Sequence, residues 1–359
     1  MKKAIILLLV VLSVLPQTLS GKNRNSYVIG FYNVENLFDT VHDEGKNDYE
    51  FLPDGLNRWT DGKYQAKLHN IATVIRSMEY ENGMWHSVLG LAEVENIHAL
   101  RDLVSQPELR DAGFEPILVE GPDRRGIDCA LLYRPSDFTP LEIRSIPFDF
   151  DTDDIDFEYG DAEKADFRTR DILMVRGKLG KDMFAFFVGH FPSRRGDKGS
   201  DLRSRSAELM YGAAEELTEK YPGIKIVCMG DMNDNPADVS MTRYLHGTED
   251  IDDVGKDDFF APFMAVHHDG IGSEEYRGEW NLFDQILVNS ELVNPGKKGS
   301  LRICRMDGSK YYGRVFSKPF MVQQDGKYEG TPYRTFSGGT FIHGYSDHYP
   351  TYIVVSKWK

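Results

Sequence analysis

The sequence predicts an α/β protein in which two β-sheets pack together and helices cover their outer faces. Runs rich in Val, Ile, Leu, Tyr and Phe alternate with stretches of 3.6-residue apolar spacing. Several of the runs, such as CALLY from Cys129 and KIVCM from Lys225, are apolar without interruption, the pattern of strands buried on both faces. No Pro/Ser linker, repeat or low-complexity tract marks a boundary, so the chain after the first twenty residues reads as a single domain, 21–359.

In chain order, the expected strands are 27–33 (YVIGFYN), 87–93 (SVLGLAE), 115–119 (EPILV), 128–134 (DCALLYR) and 171–179 (DILMVRGKL). They continue with 183–190 (MFAFFVGH), 224–230 (IKIVCMG), 283–288 (FDQILV), 301–305 (LRICR) and 351–355 (TYIVV), all rich in β-branched and aromatic residues. Helices are expected over 62–80, 97–105 and 201–220. The last places Leu202, Leu209, Met210, Ala213, Ala214 and Leu217 on one face, with Asp201 as its N-cap and Pro222-Gly223 as its stop. Gly- and Asp-rich stretches at 40–61, 147–168, 247–280 and 306–344 interrupt the pattern. Loops of that length either decorate the surface or select substrate.

The first twenty residues carry Lys2 and Lys3, an apolar run from Ala4 to Leu15 and a small-residue site before Gly21, which reads as a signal peptide, 1–20. That run is short for a membrane span and nothing later approaches one, so export to the periplasm or the exterior is expected, with no transmembrane segment. Cys129, Cys228 and Cys304 sit in apolar strand contexts and read as structural thiols rather than a disulfide scaffold. The net charge of −15 argues against tight polyanion binding by the whole surface. It leaves room for a local basic cleft, for which Arg194, Arg195, Lys198, Arg203 and Arg205 form a candidate run.

Polar clusters end many of the strands: FYNVENLFD (31–39), LAEVEN (91–96), RGIDCALLYRP (125–135), TRDILMV (169–175), VGHFPSRRGD (188–197), MGDMNDNP (229–236), FDQILV (283–288) and YSDHYP (345–350). Carboxylates, amides and two histidines delivered from strand ends are what a divalent cation and a phosphate ester require. Glu93 emerges from a buried strand, where a charge is costly unless paired or metal-bound, and reads as the principal ligand. Glu95 is expected to face solvent, Asn96 to cap helix 97–105, and Asp234 and Asn235 to form a turn. Gly230 is expected to give room for a sharp turn. Ser193 lacks the G-x-S-x-G context of a nucleophilic serine.

Taken in order, these clusters, and above all GDMND and the terminal SDH before a strand, resemble the endonuclease/exonuclease/phosphatase superfamily, from Tyr27 to about Val355. The resemblance implies a four-layer sandwich of two packed mixed β-sheets flanked by helices. It also implies a phosphoesterase that uses Mg²⁺ or Mn²⁺, with Ca²⁺ as a further option. By it, Asn33, Glu35 and Asp347 join Glu93 around the metal, the family more often having Asp where Glu35 stands. Asp231 would activate water, Asn233 hold phosphoryl oxygens, Asp284 fix His348, and His190 protonate the leaving oxygen. Asp128 is a candidate to orient His190, while Arg170, beside Arg168, together with Ser193 and Arg194 would contact substrate. The expected activity is an exported phosphodiesterase, an endonuclease on DNA or RNA. Alternatives on the same core are a phosphatase or phospholipid phosphodiesterase and, from another class, a non-catalytic binding protein. Nucleic acid or another phosphodiester is the expected partner, and no obligate protein partner is indicated.

Overall fold

Eighteen strands are present among residues 25–79, 83–148, 169–194, 200–276, 278–306 and 308–358, which are those the computed structural model describes. The expected leader 1–20, most of the expected loop 147–168 with Arg168, and Arg195 and Lys198 lie outside them. The first eight strands are β1 (Ser26–Leu37), β2 (Val88–Val94), β3 (Glu115–Leu118), β4 (Asp128–Tyr133), β5 (Phe138–Ile146), β6 (Ile172–Leu179), β7 (Asp182–His190) and β8 (Lys225–Asp231). The next five are β9 (Gly247–Thr248), β10 (Phe259–Phe260), β11 (Glu274–Tyr276), β12 (Glu279–Asn281) and β13 (Asp284–Asn289). Those that close the chain are β14 (Leu301–Cys304), β15 (Gly313–Val315), β16 (Phe336–Ser337), β17 (Thr340–Phe341) and β18 (Thr351–Lys357).

Strands β11–β12 and β16–β17 are separate two-stranded pairs, and the other fourteen strands form two mixed sheets. One runs β14-β18-β1-β2-β4-β3 with β15 also on β18, and the other runs β5-β6-β7-β8-β13-β10-β9. Only β1/β2 in the first and β7/β8 and β9/β10 in the second are parallel. Side-chain alternation decides the layers. Ile29 and Phe31 of β1, Phe184, Phe186 and Val188 of β7, and Val227 and Met229 of β8 meet between the sheets. On the other face of the first sheet, Val28 and Tyr32 pack with Leu68, Ile71 and Ile75 of α1 (Asp61–Ser77) and Leu100 and Leu103 of α2 (Ile97–Val104). On the other face of the second, Ala185, Phe187, Ile226 and Cys228 meet Ala207, Met210, Ala214 and Leu217 of α3 (Ser200–Lys220). The sandwich is therefore helix, sheet, sheet, helix, as the sequence and the resemblance imply. Gly90 permits the sheets their close approach, since a Cβ there would stand 3.0 Å from Met229 Sδ.

Two local expectations are corrected. β5 lies outside the expected strands, its run being interrupted by Pro140. It lies at the sheet edge, where a register shift next to Pro140 absorbs the missing N–H, and Leu141 and Ile143 stay exposed. Asp201 is not an N-cap but lies in the first turn of α3, where its charge still complements the helix dipole. Asn96 does cap α2, its Oδ1 accepting from His98 and Ala99 N–H. The three cysteines are free thiols, Cys129 and Cys228 buried. No helix among the described residues is long and apolar enough to cross a membrane.

One buried group ties stability to pH. His86 lies edge-on to Tyr352 beneath Gly30, and neither ring nitrogen has a hydrogen-bond partner. Burial pushes its imidazole down to about 3 from an ordinary 6.5. Below the unfolded value the unfolded chain binds a proton that the native state refuses, so this contribution is whole above 6.5 and is lost as pH falls through 6.5 toward 3. Urea unfolding at pH 7.5, 6 and 5 is expected to show a loss approaching roughly 1.4 kcal/mol per unit in the acid range. His86→Leu should flatten that dependence, and parallel curves for the two proteins would disprove the assignment.

Candidate active site

Pairing in the second sheet sets three groups side by side. Parallel pairing of β7 with β8 puts His190 next to Asp231, and antiparallel pairing of β8 with β13 puts Asp284 opposite Asp231. Gly230 allows this approach, because a Cβ there would lie 2.1 Å from the carbonyl oxygen of Gly189. Its role is strand contact rather than the sharp turn expected. In the first sheet the ends of β1 and β2 are bulged: register shifts fall between Asn33 and Leu37 and next to Leu91, with Glu35, Asn36 and Glu93 at positive φ. Bulges re-aim side chains: a regular strand would put Asn33 and Glu35, two residues apart, on one face, but here one reaches Asp231 and the other Thr335.

Asp231 is the hub. Its Oδ2 accepts from Asn33 Nδ2 at 2.9 Å and its Oδ1 from the Asn233 N–H at 3.0 Å. His190 Nε2 and His348 Nε2 approach Oδ2 to 3.6 and 3.8 Å. Burial pushes the Asp231 carboxyl up to about 6, while His348 and the two hydrogen bonds pull it down. Asn233, at φ 50, ties its amide to the Phe191 carbonyl at 3.0 Å.

The two histidines are pushed in opposite directions. Asp284 Oδ2 pairs with His348 Nδ1 at 2.7 Å and also accepts from the Ser273 hydroxyl. Burial alone disfavours a cation at His348, but Asp284 and then Asp231 outweigh it and hold the imidazole well above its ordinary range. His190 goes the other way, because burial, followed by Arg170 and Arg125, holds it well below. Its Nδ1 has no partner, so Asp128 does not orient it. Asp128 instead accepts from the Gly121 N–H at 3.0 Å, and burial pushes its carboxyl to about 7.

Glu93 has the environment of a ligand. Its Oε2 accepts from the Asn36 N–H at 2.9 Å, whereas Oε1 has only distant neighbours, Asn33 Nδ2 at 3.5 Å and His190 Nε2 at 3.8 Å. Asp347 lines the same cavity, with Arg334 3.7 Å away. Two carboxylates with open oxygens suit a hard divalent cation that keeps several waters. The other two expected ligands are placed differently. Asn33 Oδ1 accepts from the Glu35 N–H, so the amide offers N–H to Asp231 rather than oxygen to an ion. The Glu35 carboxylate turns into the protein, accepting from Thr335 N–H at 2.7 Å with Lys67 Nζ at 3.9 Å, because the positive φ at Glu35 rotates it away. Asp231, Asp284 and His348 also offer atoms within 4.8 Å of one another. The hydrogen bond already joining Asp284 to His348 Nδ1 makes this trio better suited to moving a proton.

A cavity of about 1180 Å³ opens over these groups. Arg170, Ser193 and Arg194 line it as expected. Arg170 is held by Asp123 at 3.6 Å and the Phe191 carbonyl at 3.2 Å, and its buried Nε has no partner. Arg194 lies over the Phe283 ring and braces the Asn233 turn, donating to the Asn233 carbonyl at 2.8 Å and to Asp234 at 3.0 Å. Asp234 is thus more than a turn former, since Arg203 also reaches it at 2.7 Å. Glu95 is buried rather than solvent-facing: it accepts from Asp39 N–H at 2.7 Å, and burial with nearby Asp39 and Asp43 pushes it up to about 9.

Sequence reasoning missed Asn36, Arg125, Glu274, Tyr276 and Asn281, which also line the cavity. The last three sit on the β11–β12 hairpin. Its signal was present as Tyr276 and Trp280 around Gly278, inside a stretch read as one long loop. Burial pushes the Glu274 carboxyl to about 7, with His348 opposing and Asp347 adding.

Glu35 and Lys67 also fasten the long loop that delivers Asp347. Lys67 Nζ, fully buried, donates to the Thr335 hydroxyl and to the Tyr345 carbonyl at 2.8 Å. Removing one member of a buried pair strands the other, so Lys67→Met is expected to cost about 3–5 kcal/mol. Glu35→Gln combined with Lys67→Met should recover roughly half of that. Denaturant melts of the two variants check this, and a double variant less stable than the single one would contradict it.

Residues 28–357 match the Endonuclease/Exonuclease/phosphatase family. No curated protein matches the chain. Among solved structures, an endonuclease/exonuclease/phosphatase family protein of Bacteroides thetaiotaomicron is 15% identical, with 92% of this chain and 97% of that one covered at a TM-score of 0.53. A Bacteroides thetaiotaomicron mannosyl-6-phosphatase is 15% identical, covering 92% and 99% at 0.53. D. rerio TDP2 complexed with single strand DNA product is 13% identical, again covering 92% and 99% at 0.53. At such identities the likeness is one of fold. The family match over nearly the whole described chain, with carboxylates, amides and a paired histidine gathered in one cavity, shows that this protein belongs to the Endonuclease/Exonuclease/phosphatase family of phosphoester hydrolases.

Proposed function

We propose that this protein is an exported, divalent-metal-dependent phosphodiesterase that hydrolyses flexible, single-stranded nucleic acid. The observation that carries the chemistry is the convergence of Asp231, Asn233, Glu93 and the Asp284–His348 pair on one cavity. The leader-like first twenty residues support export. Mg²⁺ or Mn²⁺ held by Glu93 and Asp347 would neutralise charge that builds on the phosphoryl group.

The chain's own groups supply the proton chemistry. Asp231, whose carboxyl burial raises to about 6, takes the proton of the attacking water near neutral pH. As the water oxygen bonds to phosphorus, the bond to the leaving oxygen breaks with its electron pair, and that oxygen takes a proton from the His348 imidazolium. Asp284 keeps the imidazolium charged and oriented. Asn233, and His190 as a neutral imidazole, contribute hydrogen bonds to the phosphoryl oxygens. His190 is thus a hydrogen-bond donor in this reading rather than the general acid.

Substrate choice follows from what surrounds the phosphate. The acidic chain offers few cations, and Arg170 and Arg194 are already braced by Asp123 and by Asp234. Tyr276 is 54% exposed at the cavity, a surface on which a base can stack. Few phosphate contacts and an aromatic platform suit a flexible strand better than a gripped duplex. A second reading, a phosphatase on a small phosphomonoester, is favoured by the carboxylates of Glu274 and Glu279 in the cavity, which disfavour a long polyanion.

Chelation with EDTA should abolish activity on single-stranded DNA or RNA, and Mn²⁺ or Mg²⁺ should restore it. Asp231→Ala and His348→Ala should each lower kcat by at least about 100-fold with the fold intact by circular dichroism. Arg194→Ala should give a smaller loss, and log K should fall with log salt by only about 0.7 per single-strand phosphate neutralised. A wild type that leaves every nucleic acid intact with either metal, yet cleaves a phosphomonoester, would overturn the nucleic-acid reading and leave the phosphoesterase core.

A further inference from the structure

The cavity has two electrostatic sides. Arg125 and Arg170 act on His190, whereas the β11–β12 hairpin stands beside His348, with Glu274 bridging the His348 backbone. The hairpin belongs to neither large sheet, yet it is fastened to the site from several directions. The Tyr349 N–H donates to the Ser273 carbonyl at 2.7 Å, Asn235 Nδ2 donates to Asn281 Oδ1 at 3.2 Å, and Trp280 stacks on Tyr349 at 6.0 Å. Ser273 in turn donates its hydroxyl to Asp284. This wall is therefore preorganised rather than a loose flap.

Glu274 and Glu279 line the cavity from this wall, and the half-buried Glu274 carboxylate has no hydrogen-bond or ion-pair partner among the described residues. An ionised carboxylate only accepts hydrogen bonds, so a substrate that displaces the water on it has to replace those donors. The substrate group that it faces must bring O–H or N–H and carry no negative charge. Asn281, on the strand paired with Glu274, adds an amide to the same wall.

We propose that Glu274 and its hairpin select the group on the His348 side of the scissile phosphate. That group is an uncharged sugar or nucleoside with hydroxyl or amino donors, not one bearing a second phosphate. The inference rests on the phosphoesterase reading above and sharpens it. For a nucleic acid it means cleavage next to a strand end that carries a free hydroxyl, since an internal site would press the neighbouring phosphate against Glu274.

The test uses the full chain with Mn²⁺ at pH 8. One single-stranded 20-mer is supplied with hydroxyl ends, with both ends phosphorylated, and circularised. The hydroxyl-ended strand should be cut from an end roughly tenfold faster than the other two, as repulsion between close charges implies. Glu274→Gln keeps an acceptor and removes the charge, so it should narrow that ratio to about twofold, whereas Glu274→Ala should raise KM for the hydroxyl-ended strand. Equal rates on circle and linear strand, or an unchanged ratio in Glu274→Gln, would overturn the proposal. If no strand is cut, the nucleic-acid reading fails, and the same rule is read on glucose 6-phosphate against glucose 1,6-bisphosphate. A tenfold preference for the monophosphate that Glu274→Gln removes sustains the role of Glu274, and equal rates refute it.

Discussion

Two buried carboxylates facing each other across neighbouring strands are the constraint around which this molecule is arranged. The β8/β13 register makes Asp231 and Asp284 direct partners, and like charges so placed repel. The repulsion is met by His348, which binds Asp284 through Nδ1 at 2.7 Å and brings Nε2 to 3.8 Å from Asp231. Asn33 supplies a further hydrogen bond to Asp231 from the opposite sheet. Without this compensation, burying two facing carboxylates would carry a heavy desolvation and repulsion cost.

The same constraint explains why both sheets are needed. Asp231, Asp284 and His190 come from the second sheet, while Asn33, Glu93 and the approach to His348 come from the first. Their ends meet only because the inner faces pack closely, with Gly90 against Met229. Bulges at the ends of β1 and β2, with Glu35, Asn36 and Glu93 in the left-handed region, turn one carboxylate into the cavity and the other out of it. Strain of this kind persists where the surroundings over-determine it, and here Lys67, Thr335 and Asn36 do so.

Beyond the shared core, the long loops carry the character of this protein. The stretch 306–344 is tied down by Lys67 and by Asn70, whose amide donates to the His343 and Gly344 carbonyls. It then passes Ser346, which donates to the Asn33 carbonyl, and arrives at Asp347 and His348 in fixed position. The stretch 247–280 supplies the acidic, aromatic wall. In the proposed reading, substrate choice is thus written in segments whose sequence has no periodic pattern, on a core whose pattern is strong.

The sequence by itself determined the layers and the principal candidates for the site. Apolar runs fixed strands such as β4, β7 and β8, helical spacing fixed α1 to α3, and polar residues at strand ends marked Glu93, Asp231, Asn233, Asp284, Asp347 and His348 as candidates, all of which lie in or against the cavity. What it could not determine was direction and charge. A strand's alternation says which face a residue takes only while the strand is regular, and the bulge at Glu35 broke that rule, sending an expected ligand to Lys67. Protonation depends on burial and on neighbours distant in sequence, so only the folded chain could push His348 up beside Asp284 and push His190 down through burial and Arg170. Glu274 shows the same limit, because a glutamate in a charged hairpin becomes informative only when tertiary packing sets it, unpartnered, beside His348.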